Sequence, residues 1–372
     1  MAGSRRRLKI TFLTNRPGLS GGARVIADYA AYLLRQGHDV RVFTQPEKPR
    51  RFLRRLKARL EGEPPAAARP SPFFDPLGDR FIRLPRAGKP RGADLPDADV
   101  IVATFWNTAA HVADLPSSKG AKAYFMQDYG AAGQPIDDVR KTWTLGLKMI
   151  TISRYLQNEI ESASGEKSIL VLNGVDPGFM APGPRAFRDG PPTVGFLYST
   201  NAMKGSRDCI AAAIRARETI PDLRVVSFGP KAPADAAEMP SWVEFRAKVS
   251  EAEVRAIYRA CDAWLFGSIR EGFGLPILEA MATATPVIAA HSAAAPDLLD
   301  QGGGRLVPVS DPEAMAAAIV EICSLAPADW LALSETAFKT ATRHSIDAAR
   351  ARFEDALYAI AEGRFDEAAR AA

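Results

Sequence analysis

Cysteine and histidine are scarce and scattered in this sequence. The three cysteines, Cys209, Cys261 and Cys323, form no CxxC pair, and the four histidines, His38, His111, His291 and His344, show no HExxH spacing. These absences argue against a zinc site or a disulfide framework, and leave the cysteines as small buried apolar side chains. No apolar run approaches the roughly 18 residues that a membrane helix needs. The basic start (Arg5, Arg6, Arg7, Lys9) is followed only by the short apolar stretch Ile10–Leu13 and then by polar Asn15 and Arg16. That is too short for a secretory signal and reads as a cytoplasmic protein. The first glycine-rich turn, NRPGLSGGARV, lacks GxGxxG directly after a strand, which removes the nicotinamide oxidoreductases.

What is present is alternation. The 372 residues suit two domains. The apolar run LKITFL predicts a buried parallel strand; Val25, Ile26, Tyr29, Leu33 and Leu34 recur at helical spacing up to Arg35, Gly37 ends that helix, and Val40–Thr44 is the next strand. This βαβ opening predicts a doubly wound sheet. Further strands are expected at Val100–Thr104, Ala121–Met126, Lys148–Ile152 and Ser168–Leu172. Residues 46–95 read as irregular, broken by prolines, and the Gly- and Pro-dense stretch 173–192 reads as a linker. A second series follows, with strands at Val194–Leu197, Leu223–Phe228, Val243–Phe245, Ala263–Phe266, Pro286–Ala290 and Arg305–Val307. The last helix, about 346–361, carries Ile346, Ala349, Phe353, Leu357 and Ile360 on one face, which must pack on something.

Charge is local. Residues 48–59 hold seven basic side chains and no acid, more than the whole net charge of +5, so the remainder is net acidic. That argues against a general nucleic-acid binder and for one adhesive patch. In PRRFLRRLKARL, Phe52, Leu53, Leu56 and Leu60 share a helical face, so residues 48–60 suit an anionic membrane surface; a solvated basic loop over a cleft and an arm touching an acidic polysaccharide are the other readings.

The densest chemistry lies in Ser268–Met281, SIREGFGLPILEAM, directly after the run Ala263–Phe266. Ligands of open α/β sheets bind at such carboxyl ends. Gly272 and Gly274 allow close approach of backbone, Pro276 suits a first helical turn, and the free N–H groups of that turn favour an anion such as a diphosphate. Glu271 and Glu279 beside an anion site make poor phosphate ligands and good acceptors for sugar and ribose hydroxyls. No DxD motif follows a donor-side strand, and Asp137–Asp138 lie in the first half.

Glu271 and Glu279 form E-x7-E, and EGFGLPILEAMATATPVIA resembles the donor signature of glycosyltransferase family 4. Gly21–Gly22–Ala23 and Gly37–His38–Asp39–Val40 resemble that family's first βαβ unit, Asn173–Gly174–Val175–Asp176 its interdomain element, and Lys204–Gly205 its phosphate-binding pair; Gly229 follows the next strand as a family glycine does. The resemblance covers about residues 8–360. It implies an α/β, GT-B fold, two Rossmann-like doubly wound domains facing across a cleft: an acceptor-side domain 1–174, a nucleotide-sugar domain 175–343, and a C-terminal helix 344–372 packing back on the first. It also implies a retaining transferase with a nucleotide-diphosphate sugar as donor substrate, no cofactor and no catalytic metal.

By the same resemblance Glu271 holds donor-sugar hydroxyls and Lys204 neutralises the diphosphate. Glu279 holds the ribose, and Gly272, Phe273, Gly274 and Leu275 present backbone, with Ser199, Gly229 and Gly22 as further donor-side candidates. Two departures stand out. The family's Arg before the Lys is absent from GFLYSTNAMKG, with Arg270 or Arg207 as substitutes, and its His after the fourth strand is replaced in YFMQDYG by Gln127 and Asp128. Asp128 is then the candidate to orient the acceptor or act as base. Gly21, Trp106, Asn107 and Gln127 are the candidate acceptor liners. The Gln-Asp-Tyr variant resembles a branch associated with bacterial surface polysaccharides, including rhamnose transfer, which points to a glycan or lipid-linked acceptor. A non-catalytic sugar-binding protein or a nucleotide-sugar epimerase on the same fold are the alternatives.

Overall fold

The computed structural model describes residues 5–16, 18, 20–46, 71–129, 135–181, 185–187, 190–233 and 239–371. The basic segment 48–60, with its expected membrane contact, lies outside them. Among the described residues the first half contains β1 (Lys9–Thr14), α1 (Gly21–Arg35), β2 (Asp39–Thr44), β3 (Phe81–Arg83), β4 (Val100–Ala103), α2 (Trp106–Ala113), β5 (Ala121–Met126), α3 (Ile136–Lys141), β6 (Lys148–Thr151), α4 (Arg154–Ser164) and β7 (Ser168–Leu170). The second half contains β8 (Thr193–Leu197), α5 (Ser206–Thr219), β9 (Arg224–Gly229), β10 (Val243–Ala247), α6 (Glu251–Ala260), β11 (Ala263–Phe266), α7 (Leu275–Ala282), β12 (Val287–Ala290), α8 (Ala295–Leu299), β13 (Gly304–Val307), α9 (Pro312–Cys323), α10 (Pro327–Arg343), α11 (Ile346–Ala361) and α12 (Phe365–Ala371).

The strands form two sheets, in the orders β3-β2-β1-β4-β5-β6-β7 and β10-β9-β8-β11-β12-β13. Every strand pairing is parallel. Helices on both faces explain why β4, β11 and β12 are buried along their whole length and read as unbroken apolar runs. In each sheet the winding reverses once, between β1 and β4 and between β8 and β11. Those reversals open crevices at the strand ends, and there the fold places the loops that matter.

One difference concerns residues 72–83, which read as irregular from sequence. Here a kinked 3₁₀ segment, Pro72–Arg80, leads into β3, a three-residue edge strand held only by β2. It is too short to show a period.

The chain crosses between the sheets twice, and the crossings lie side by side. The Val175 amide donates to the His344 carbonyl at 2.8 Å, and the Ile346 amide donates to the Val175 carbonyl at 3.1 Å. A Cβ on Gly174 would collide with Ser345 backbone. Beyond the second crossing, α11 lies on the first sheet. Phe353 is fully buried, with its ring 4.8 Å from Phe125, 4.9 Å from Tyr29 and 6.2 Å from Phe12. Arg350 pairs with Asp28 of α1, and His38 Nε2 lies 3.0 Å from Glu354. No single described helix is long and apolar enough to cross a membrane.

Candidate active site

Two loops of the second domain build one side of the site. After β8, Asn201 accepts from the Met203 amide at 3.0 Å and turns the chain into a short 3₁₀ segment, Ala202–Lys204. Gly205 ends that segment at φ 62°, and a Cβ there would collide with the Gly267 carbonyl. Only glycine fits, so the loop is pinned against the end of β11. The Ile269 amide donates to the Met203 carbonyl at 2.9 Å and ties the two loops together. As a result Lys204 Nζ reaches Glu271 Oε1 at 2.7 Å, while Glu271 Oε2 accepts from Ser268 Oγ at 2.9 Å.

The second loop runs into α7. Gly274 stands at its N-cap with φ 90°, Pro276 lies in the first turn, and no side chain caps the helix. Pro276 has no N–H and the Ile277 amide donates to the Gly274 carbonyl at 2.9 Å, so the helix start offers an anion the Leu275 N–H and the positive end of its dipole. One turn further on, Glu279 accepts from the Tyr258 hydroxyl at 3.0 Å. Burial raises the Glu279 pKa, and the Tyr258 hydrogen bond opposes the shift. Phe273 is a core side chain whose carbonyl accepts from the Ala294 amide at 3.0 Å, so its contribution to the site is backbone.

The first domain supplies the opposite wall from the carboxyl ends of its strands. Gly21 and Gly22 form the first turn of α1, with Ser20 capping the Ala23 amide at 3.3 Å. A Cβ on Gly21 would lie 3.2 Å from Leu275, so the starts of α1 and α7 meet across the cleft. Gln127 donates to the Gly22 carbonyl at 3.2 Å, while its Oε1 is buried with no partner among the described residues. Asn173, 3% exposed, likewise has a buried Oδ1 without a partner among them. Buried acceptors of this kind are costly unless a ligand or an ordered water satisfies them. Asp128 accepts from its neighbour's amide, Tyr129 N, at 2.8 Å. Burial pushes its pKa up to about 6; that hydrogen bond pulls it down, nearby Glu271 adds to the rise, and Lys204 and Arg270 counter it.

These walls enclose a cavity of about 680 Å³, large enough for a nucleotide sugar. Lys204, Glu271, Gly272, Phe273, Gly274, Leu275, Glu279, Gly21, Gly22, Trp106, Gln127 and Asp128 all line it. Ser199, Gly229 and Asn107 do not. Ser199 supports its own loop, accepting from the Asn201 amide at 3.2 Å. Gly229 ends β9 where a Cβ would lie 2.5 Å from the Tyr198 carbonyl oxygen, a packing requirement. Asn107 sits in the first turn of α2, and Asp137–Asp138 form the first turn of α3. Of the two arginines named as substitutes for the missing cation, Arg270 lines the cavity and Arg207 is exposed on α5.

Sequence reasoning missed Arg24. It lines the same cavity and reaches Glu251 at 3.4 Å and Asp176 at 3.9 Å. The signal was available: a cation in the first turn of a helix opposes the dipole and calls for a negative partner.

Residues 191–324 match the family model described as "Glycosyl transferases group 1". A phosphatidyl-myo-inositol mannosyltransferase of Mycolicibacterium smegmatis is 31% identical over 171 residues, covering 43% of this chain and 44% of that protein. An O-antigen chain mannosyltransferase B of Escherichia coli is 32% identical over 89 residues, covering 24% of this chain and 23% of that protein. The match thus spans less than half the length of these curated relatives. Among solved structures, the sucrose-phosphate synthase of Thermosynechococcus elongatus superposes with a TM-score of 0.70 at 17% identity, covering 93% of this chain and 98% of that one. The Anabaena protein HepE, in complex with UDP, superposes with a TM-score of 0.69 at 17% identity, covering 94% and 100%. At such identities the likeness shows the fold, which is GT-B. Residues 191–324 thus match a glycosyltransferase group 1 domain, and nearly the whole chain has the GT-B fold.

Proposed function

We infer that the protein transfers a sugar, with retention of configuration, from a nucleotide-diphosphate donor to a glycan or lipid-linked acceptor in bacterial surface-polysaccharide synthesis. The observation that carries this reading is the convergence, in one cavity, of the Lys204–Glu271 pair, the uncapped start of α7 and Glu279. As the bond from sugar to phosphate breaks, charge develops on the leaving diphosphate. Lys204 and the positive end of α7 face that charge, an electrostatic stabilisation that is usually the largest catalytic contribution. Glu271 holds sugar hydroxyls and Glu279 the ribose. Asp128, mostly ionised at pH 7, orients the acceptor hydroxyl, and the unpartnered oxygens of Gln127 and Asn173 accept from other hydroxyls. The protein cation and the helix dipole fill the role that a divalent metal fills elsewhere.

The test is a thermal-shift screen against nucleotide diphosphates and nucleotide sugars, with and without EDTA. A ligand that binds only the folded state raises its stability, by about 2.7 kcal/mol at 100-fold over Kd. The expected result is stabilisation by one nucleotide family, insensitive to EDTA and lost in Glu279→Ala, followed by sugar transfer in excess chelator. An EDTA-sensitive shift overturns the metal-free mechanism; no shift with any nucleotide overturns the donor site.

A further inference from the structure

The donor loop and the acceptor-side turn belong to opposite domains, yet their backbones touch. Ser153 stands at the N-cap of α4, fully buried, where its Oγ accepts from the Leu156 amide at 3.3 Å. Capping uses only the oxygen lone pair. The hydroxyl proton is directed elsewhere: Ser153 Oγ donates to the Gly272 carbonyl, 2.7 Å away in the other domain. Gly272 in turn presses on the first domain. A Cβ there would collide with the Gln127 carbonyl and lie 3.2 Å from Asp128 Cα, and its three nearest atoms all belong to that domain. Two ion pairs flank the contact. The Arg154 amide donates to Asp297 Oδ2 at 3.1 Å with Nε 3.4 Å from Oδ1, and Arg24 pairs with Glu251 at 3.4 Å. Both arginines sit in the first turns of first-domain helices, and both carboxylates belong to the second domain.

We propose that Ser153 and Gly272 form a closure contact that positions the reacting groups, with Ser153 as a positioning residue. This rests on the donor-site reading above. Glu271 immediately precedes Gly272, and Gly272 abuts Gln127 and Asp128. One movement of the domains therefore sets how far the donor carboxylate stands from the acceptor carboxylate. With the contact absent, the second domain keeps its nucleotide contacts while Asp128 withdraws from the donor. The absence of a side chain at Gly272 is what lets the cleft shut.

The experiment compares wild type, Ser153→Ala, Ser153→Thr and Gly272→Ala by small-angle X-ray scattering with and without UDP or GDP, by nucleotide titration calorimetry, and by turnover. Ser153→Thr retains the hydroxyl and is expected to match wild type in radius of gyration and in kcat. Ser153→Ala is expected to bind nucleotide with unchanged affinity and to lose about 100-fold in kcat, the scale of a 1 Å misplacement of reacting groups. Loss of the cap also lowers the Tm of Ser153→Ala. Gly272→Ala leaves the cap intact, and the nearest atoms to its added methyl belong to Gln127 and Asp128 of the first domain. A larger radius of gyration is expected for Gly272→Ala in the absence of any ligand. Scattering from Gly272→Ala that superimposes on wild type, or a Ser153→Ala enzyme that loses Tm but keeps its kcat, overturns the proposal. Failure of every protein to bind nucleotide would refute the donor site, while the ligand-free scattering would still decide the closure contact.

Discussion

Glu271 and Asp128 are carboxylates near the same lysine, and their surroundings give them different tasks. Glu271 is held by the Lys204 ammonium and the Ser268 hydroxyl. Asp128 has the Tyr129 amide and a half-buried position whose desolvation raises its pKa from an ordinary 3.8 to about 6. The consequences can be separated. Lys204→Ala is expected to lose about 100- to 1,000-fold in turnover, the cost of removing one charge-stabilising donor. Glu271→Ala is expected to lose transfer with its circular dichroism unchanged; wild-type turnover in a working assay would take either residue out of the site. Asp128 predicts an acid limb in the pH–rate profile near pH 6 that vanishes in Asp128→Asn. It also sets a sign for stability. The folded state holds the Asp128 proton more tightly than the unfolded chain, so this contribution is present below about pH 4 and lost as pH rises through about 6. Asp128→Asn should therefore gain stability over wild type progressively between those values and hold the gain above them, as read by denaturant titrations at several pH values. A gap that does not vary with pH would mean that Asp128 does not carry the raised pKa described here.

At the scale of elements, the two loops depend on single glycines. Gly205→Ala places a methyl against the Gly267 carbonyl in a left-handed conformation, a strain on the order of 1–3 kcal/mol. The expected outcome is a lower Tm together with weaker nucleotide binding, because Lys204 is the adjacent residue; a lower Tm with unchanged binding would dissociate the turn from the site. The same elements show what was legible in the sequence. β5, α1, β11 and α11 fall where the apolar runs and spacings put them, because each is a buried strand or an amphipathic helix. α4 buries only Leu156 and Ile160, a stripe too thin to announce a helix. α10 packs through Ala337, Ala341, Ser334 and Thr340 as well as Trp330, small or polar side chains that leave little hydrophobic period. In the site, residues tied to a local motif were legible: Lys204 before a glycine, and the glutamates around the start of α7. Arg24, Ser153 and Asn173 were not, because their partners lie more than a hundred residues away or, for Asn173, were not found among the described residues. Ser199, Gly229 and Asn107 lie outside the cavity lining; Ser199 holds its own loop and Gly229 packs against Tyr198, while the buried Asn107 Oδ1 has no partner among the described residues.

For the molecule as a whole, α11 is the tether between its ends. Phe353 fills a space among Phe12, Tyr29 and Phe125. Phe353→Ala is expected to cost about 3–5 kcal/mol, measured by denaturant unfolding, with hydrogen exchange rising first in α11 and α1. Loss confined to the second domain would contradict the packing seen here. The adjacent crossings at Val175 and Ser345 bear on how such a protein can be recombined. A chimaera cut once, between residues 174 and 175, would hand the first sheet a foreign final helix and strand Phe353 away from its three aromatic partners. The transplantable cassette runs from Val175 to His344, with both seams inside the paired backbone segment, so the second domain is exchangeable as an insert but not as a half.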